Sequence, residues 1–127
     1  MLKDSKPIIL IPTLQKDKAK AFYQDTLGLT FKVDDGFALV FETGGNMLRI
    51  TSVQEFTPHQ FAVLGWETED IASVIKSLAA KGVEFERYDF PWMSQDELGV
   101  WTAPDGTKVA WFKDPDGNLL SLTQLAK

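Results

Sequence analysis

The sequence predicts an α+β fold built from two similar modules. Two observations carry that prediction. The order strand, helix, then three strands is written twice along 127 residues. Short correspondences also link the halves. Gln15 before the first helix matches Asp70 before the second, an offset of 55, and Gly45-Asn46 matches Gly117-Asn118, an offset of 72. The difference of 17 residues falls in the segment Tyr88 to Gly99, so the second half has grown a loop. Modules of this size cannot each bury a sheet face alone, so the halves are expected to pack together. The expectation is a single domain over 1–127, with modules at 6–53 and 60–125 and an enlarged loop at 88–103.

Each element has a local reason. Pro7 to Thr13 reads as a strand. Gln15 to Leu27 places Ala19, Phe22, Tyr23 and Leu27 three and four apart, one apolar helical stripe, and Gly28 follows where a left-handed cap wants no side chain. Leu29 to Val33 is a strand candidate. Asp35-Gly36 is a hairpin signal, after which Phe37, Leu39 and Phe41 alternate. Gly44-Gly45-Asn46 turns the chain into Met47 to Thr51. In the second half Phe61 to Glu67 reads as a strand, with Trp66 in the core. Asp70 can cap a helix whose stripe is Ile71, Val74, Ile75 and Leu78, and Gly82 lies past its end. Val83 to Arg87, Val100 to Ala103, Lys108 to Lys113 and Leu119 to Leu125 read as strands, with turns at Asp105-Gly106 and Asp114 to Asn118.

Composition excludes several functions. There is no cysteine, so disulfide scaffolds, cysteine zinc sites and thiol nucleophiles are out. His59 is the one histidine, so no two-histidine metal site forms within a chain. The net charge of -5 and the scattered Lys and Arg leave no footprint for nucleic acid or a membrane surface. The longest apolar stretch near the start, Ile8 to Pro12, is far short of a membrane span, and the cytoplasm is the expected location.

The segment Trp92 to Trp101 is the least regular. It places Pro91, Trp92, Met93 and Trp101 beside Asp96 and Glu97. Aromatics beside a sheet line a ligand, close over the sheet as a lid, or form half of a dimer contact, and all three readings stay open. His59, beside Pro58, reads as a surface or edge residue.

Two motifs carry a family resemblance. Ala21-Phe22-Tyr23-Gln24-Asp25-Thr26-Leu27-Gly28-Leu29 resembles the helix signature of the glyoxalase/bleomycin resistance/dioxygenase group, the vicinal oxygen chelate superfamily. Phe112-Lys113-Asp114-Pro115-Asp116-Gly117-Asn118-Leu119-Leu120 resembles its C-terminal signature. The resemblance implies paired βαβββ modules whose strands curl into an open, cup-shaped sheet with helices on its outer face, and a homodimer. The second motif is mainly a turn, and it lacks the spaced oxygen ligands of a calcium loop.

Active members of the superfamily resemble one another in a facial metal site with His, Gln or Glu ligands. The matching positions here are Ile8, fourteen residues before Phe22; Val63, seven before Asp70; Ser121, four after Gly117; and Arg49, four after Gly45. Two are hydrocarbon, one is a weak ligand and one is a permanent cation, which opposes a divalent ion. The resemblance therefore implies no metal, no cofactor and no catalytic residue set, and it points to the non-catalytic binders of the superfamily.

Ligand contacts are then expected from Ile8, Leu10, Arg49, Val63, Trp92, Trp101, Trp111 and Ser121, on a lining that is apolar with a few polar points. The partner is a small organic molecule. Arg49 reads either as an exposed charge paired with Glu55 or Glu67, or as an inward guanidinium for a carboxylate, phosphate or enolate oxygen. An anionic ligand pulls against the cationic antibiotics of the resistance proteins, and ligand charge stays open. The alternative is an enzyme of lyase, isomerase or dioxygenase type, using Arg49 and Ser121 or an unrecognised metal site, with an acid or base from Asp96 or Glu97. A third reading is a partner protein whose cup is filled by Trp92, Trp101 and Trp111.

Overall fold

The structure, a computed structural model, describes residues Met1–Lys127. Contacts divide the chain into two compact units, Met1–Thr57 and Pro58–Lys127, and each unit has its own mixed four-stranded sheet. No helix is long and apolar enough to cross a membrane.

In the first unit β1 (Ile8–Thr13), α1 (Lys16–Ala21), β2 (Thr30–Asp34), β3 (Ala38–Thr43) and β4 (Asn46–Ser52) follow in order. The sheet order is β1-β4-β3-β2, with β1 parallel to β4 and the other pairs antiparallel. The crossover from β1 needs α1, because parallel neighbours cannot be joined by a tight turn. The expected single helix to Leu27 instead widens after Ala21 into a π-helical turn over Phe22–Thr26, closed by the Leu27 N–H on the Phe22 carbonyl at 2.9 Å. Gly28 then takes φ 75°, and the Leu29 N–H reaches back to the Tyr23 carbonyl at 3.0 Å. The stripe buries Ala19 and Tyr23 fully. Tyr23 packs on Phe41 with ring centroids 6.1 Å apart, so the helix covers the sheet face carrying Leu48 and Ile50, also fully buried. Phe37 stands outside β3 and is exposed, a departure from the alternation expected from it.

The second unit holds β5 (Leu64–Glu67), α2 (Ile71–Ala80), β6 (Trp101–Thr102), β7 (Lys108–Lys113) and β8 (Leu119–Gln124). Its order β5-β8-β7-β6, with β5 parallel to β8, repeats that of the first sheet. Asp70 caps α2 by accepting from the Ser73 N–H at 3.2 Å, and Gln124 of β8 accepts from the Ile71 N–H at 2.9 Å. Ile71, Ile75 and Leu78 are buried by the helix, as are Ala110, Phe112, Leu120 and Leu122 by the sheet.

Two strands differ from expectation. Phe61 to Glu67 shortens to Leu64–Glu67, because β8 offers partners only from Leu119 onward, where its carbonyl takes the Val63 N–H at 2.9 Å. Val83 to Arg87 is no strand. Only Phe85 bridges to Phe112, after which side-chain bonds draw the chain into the long loop. Trp66, opposite Leu122, is half-buried.

The turn before β8 is the best-satisfied polar feature of the fold. Asp114 is buried, and its Oδ1 accepts from the N–H groups of Asp116 and Asn118, each at 2.9 Å. Its Oδ2 accepts from Asn118 Nδ2 at 2.8 Å, and Gly117 supplies φ 85°. Asn118→Ala removes one donor from a buried carboxylate. It is expected to cost about 1–3 kcal/mol in urea unfolding, with an unchanged dependence on urea concentration.

Candidate functional site

Strand register sorts the eight expected ligand contacts. On the first sheet Leu10, Arg49 and Val40 stand side by side, next to the row of Ile8, Met47 and Glu42. This is the face away from α1. Ile8 is 53% exposed and Leu10 65%. Arg49 pairs with neither Glu55 nor Glu67. Its Nη2 lies 2.9 Å from Asp35 Oδ2. Asp35 also accepts from the N–H groups of Phe37 and Ala38, each at 2.9 Å. Those two amides, and then the guanidinium, hold its carboxyl below the ordinary 3.8. Asp35 therefore stays ionised at neutral pH and neutralises Arg49.

On the second sheet Gly65, Ser121 and Trp111 stand in one row, and Thr123, Val109 and Trp101 in the next. This is the face away from α2. A Cβ at Gly65 would meet Ser121 Oγ, which would have to rotate aside. Val63 lies just before β5 and is half-buried.

Aromatic rings dominate this face. Tyr88 and Phe90 lie two residues apart on the loop, and Trp92 lies in the turn that follows, closed by the Met93 N–H on the Phe90 carbonyl at 3.1 Å. Tyr88 stacks on Phe90 with centroids 5.7 Å apart and planes at 8°. Phe90 stacks on Trp92 at 5.6 Å and 3°. Trp92 meets Trp101 edge-on at 5.7 Å, Trp101 meets Trp111 at 6.3 Å, and Trp111 meets Tyr88 edge-on at 5.5 Å. Five rings thus form a closed circuit in offset-stacked and T-shaped geometry. Trp92 is nevertheless 65% exposed. An exposed apolar surface of this kind marks a contact site rather than a core.

A set of polar bonds braces the loop that carries Tyr88, Phe90 and Trp92. Gln95 Oε1 accepts from the Tyr88 N–H at 2.8 Å. Its Nε2 donates to the Glu86 carbonyl at 3.0 Å and the Gly99 carbonyl at 2.9 Å. The Arg87 guanidinium donates to the carbonyls of Asp96 and Glu97. Asp96 Oδ1 accepts from the N–H groups of Leu98 and Val100, each at 2.9 Å. Asp96 Oδ1 thus serves the loop's own backbone.

Beside the circuit lies a cavity of about 430 Å³, lined by His59, Glu86, Tyr88, Phe90, Lys113 and Leu119 among others. The His59 ring stacks on Phe61 at 4.7 Å. Lys113 Nζ lies 3.3 Å from Glu86 Oε1. With the lysine more than half exposed, such a pair contributes about 0–1 kcal/mol. Burial, and then the charge of Glu86, raises the Tyr88 hydroxyl above its ordinary 10.0.

A model of the Glyoxalase/Bleomycin resistance protein/Dioxygenase superfamily matches residues 8–122. The chain belongs to that superfamily. A superfamily member from Sphaerobacter thermophilus DSM 20745 is 20% identical with a TM-score of 0.74, over 98% of this chain and 100% of that one. A bleomycin resistance determinant encoded on the transposon Tn5 is 22% identical with a TM-score of 0.72, over 94% and 97%. TnmS3, an antibiotic binding protein from Streptomyces sp. CB03234, is 24% identical with a TM-score of 0.68, over 98% of each. At these identities the likeness shows the fold alone. No curated protein matches the sequence.

The resemblance matches four positions of this chain to the superfamily's metal site. Ile8, Arg49, Val63 and Ser121 do not fit a divalent ion, and nowhere in the structure do three His, Asp or Glu side chains form a metal-holding group. Sequence reasoning missed Tyr88, Phe90, Gln95, Glu86 and Lys113. The signal for the rings was the alternation Tyr88, Phe90, Trp92, hidden by ending a strand at Arg87. Gln95→Ala removes the three bonds that Gln95 adds to the brace. It is expected to lower stability by about 1–3 kcal/mol and to weaken the near-ultraviolet circular dichroism of the tryptophans while the far-ultraviolet spectrum holds.

Proposed function

We propose that the protein binds a small organic molecule without a metal, with the aromatic face of its second unit as the main contact surface. The carrying observation is the closed five-ring circuit, polar-braced yet open at Trp92. Planar side chains held in place before binding lose little entropy when a ligand stacks on them. Trp92, Trp101 and Trp111 are the proposed stacking groups. Ser121 and Val63 are the proposed floor of that face, and Ile8, Leu10 and Arg49 are proposed ligand contacts on the first unit's own sheet.

Binding is preferred to catalysis because the site supplies recognition more clearly than chemistry. Arg49 is neutralised by Asp35, and Asp96 is bound to its own loop. Two solved relatives in fold, the bleomycin resistance determinant and the antibiotic binding protein, support a sequestering role. The proposed working form is a cytoplasmic homodimer, supported by the apolar exposure of Ile8 and Leu10 on the first sheet.

Native mass spectrometry, with small ligands retained and with Mn, Zn, Ni or Fe added, tests this reading. The expected species is a dimer that carries an organic adduct and takes up no stoichiometric metal. Trp92→Ala is expected to reduce adduct occupancy several-fold. Tight stoichiometric metal, or full occupancy in the Trp92 variant, would overturn the reading.

A further inference from the structure

The ligand's charge is legible in how the chain distributes its own. Residues 1–57 carry seven basic and seven acidic side chains, whereas residues 58–127 carry six basic and eleven acidic. The whole negative excess therefore belongs to the unit that carries the aromatic circuit. Arg49, the one group that pointed to an anion, lies on the other unit and already has a carboxylate partner.

Resting on the aromatic-face reading, we propose that the cavity against Tyr88 and Phe90 selects a planar organic cation, whose ammonium or amidinium-type group takes Glu86 in place of Lys113.

Glu86 and Lys113 differ in how firmly they are held. Glu86 donates its N–H to the Trp111 carbonyl at 2.8 Å, and its own carbonyl takes Gln95 Nε2 at 3.0 Å. Its side chain is 28% exposed, that of Lys113 54%. The Glu86 main chain is therefore anchored and its side chain the less exposed of the two, while the ammonium rides on a flexible stem that returns to water at little cost. Lys113 acts as a resident counter-ion that a ligand can replace.

The ring walls favour the same sign. The face of an aromatic ring carries negative potential, and it attracts a cation but not an anion. Stacking at centroid distances of 5.6 to 5.7 Å between near-parallel planes is laterally offset, so neighbours cover each ring only in part. Tyr88 and Phe90 both line the cavity with Glu86. The raised Tyr88 hydroxyl, which senses the Glu86 charge, stays protonated at neutral pH and adds no second anion to compete. An anion bound at Lys113 would sit against these rings and beside a fixed carboxylate, both repulsive.

Calorimetric titration of the full chain at low salt tests the proposal with three planar probes: 9-aminoacridine as the cation, acridone as the neutral molecule and anthracene-9-carboxylate as the anion. The cation is expected to bind about tenfold tighter than the neutral probe, and the anion weakest. Glu86→Gln should erase the preference, and Lys113→Met should tighten the cation several-fold. The three-probe comparison on the unaltered protein needs no variant to fold. Equal or tighter binding of the neutral or anionic probe, an unchanged preference in Glu86→Gln, or weaker cation binding in Lys113→Met would overturn the cation proposal and leave the aromatic-face reading standing. Failure of all three probes to bind would overturn that reading and this proposal together.

Discussion

Three hydrogen bonds made by one amide side chain organise the long loop of the second unit. Gln95 accepts from Tyr88 and donates to the carbonyls of Glu86 and Gly99, so it ties both ends of the long loop to each other. Buried or half-buried backbone groups need partners, and here one side chain serves the segment where a strand would otherwise have served it. The ladder Tyr88, Phe90 and Trp92 begins where that brace fixes the chain. Without it, an aromatic loop gains most by collapsing onto the sheet. With it, the rings pack against one another and leave Trp92 in solvent.

The two units repeat one topology with different chemistry. Both sheets run in the order edge, last strand, inner strand, edge, with the first strand parallel to the last. In the first unit the face away from the helix carries aliphatic side chains and one neutralised guanidinium. In the second it carries tryptophans and a serine beside a glycine. Superfamily membership accounts for the shared topology, and the site residues decide what each face can do.

Much of the fold was readable because its signals are local. The helical stripe through Ala19 and Tyr23, the cap at Asp70 and the Asp114 to Asn118 turn depend on neighbours within a few residues, and each stands as read. The misreadings have a common cause, which is competition from distant groups. Val83 to Arg87 has strand composition, but Gln95 and the Arg87 bonds to Asp96 and Glu97 claim its backbone and side chain. Arg49 was matched to glutamates, yet a tight turn presents Asp35 across the sheet from fourteen residues away. Trp92, Trp101 and Trp111 were singled out together, as ligand contacts or as the filling of a cup. Their closure into a circuit needs Tyr88 and Phe90, which only the path of the loop brings beside them.

The most direct measurement is a nuclear magnetic resonance titration of the indole N–H groups in the presence of a chelator, with 9-aminoacridine as the planar probe. Trp92, Trp101 and Trp111 should shift together and saturate, while Trp66, on the face toward α2, stays in place. Immobile indole signals from the three circuit tryptophans, or shifts that appear only once a divalent metal is restored, would contradict a metal-free aromatic binding face.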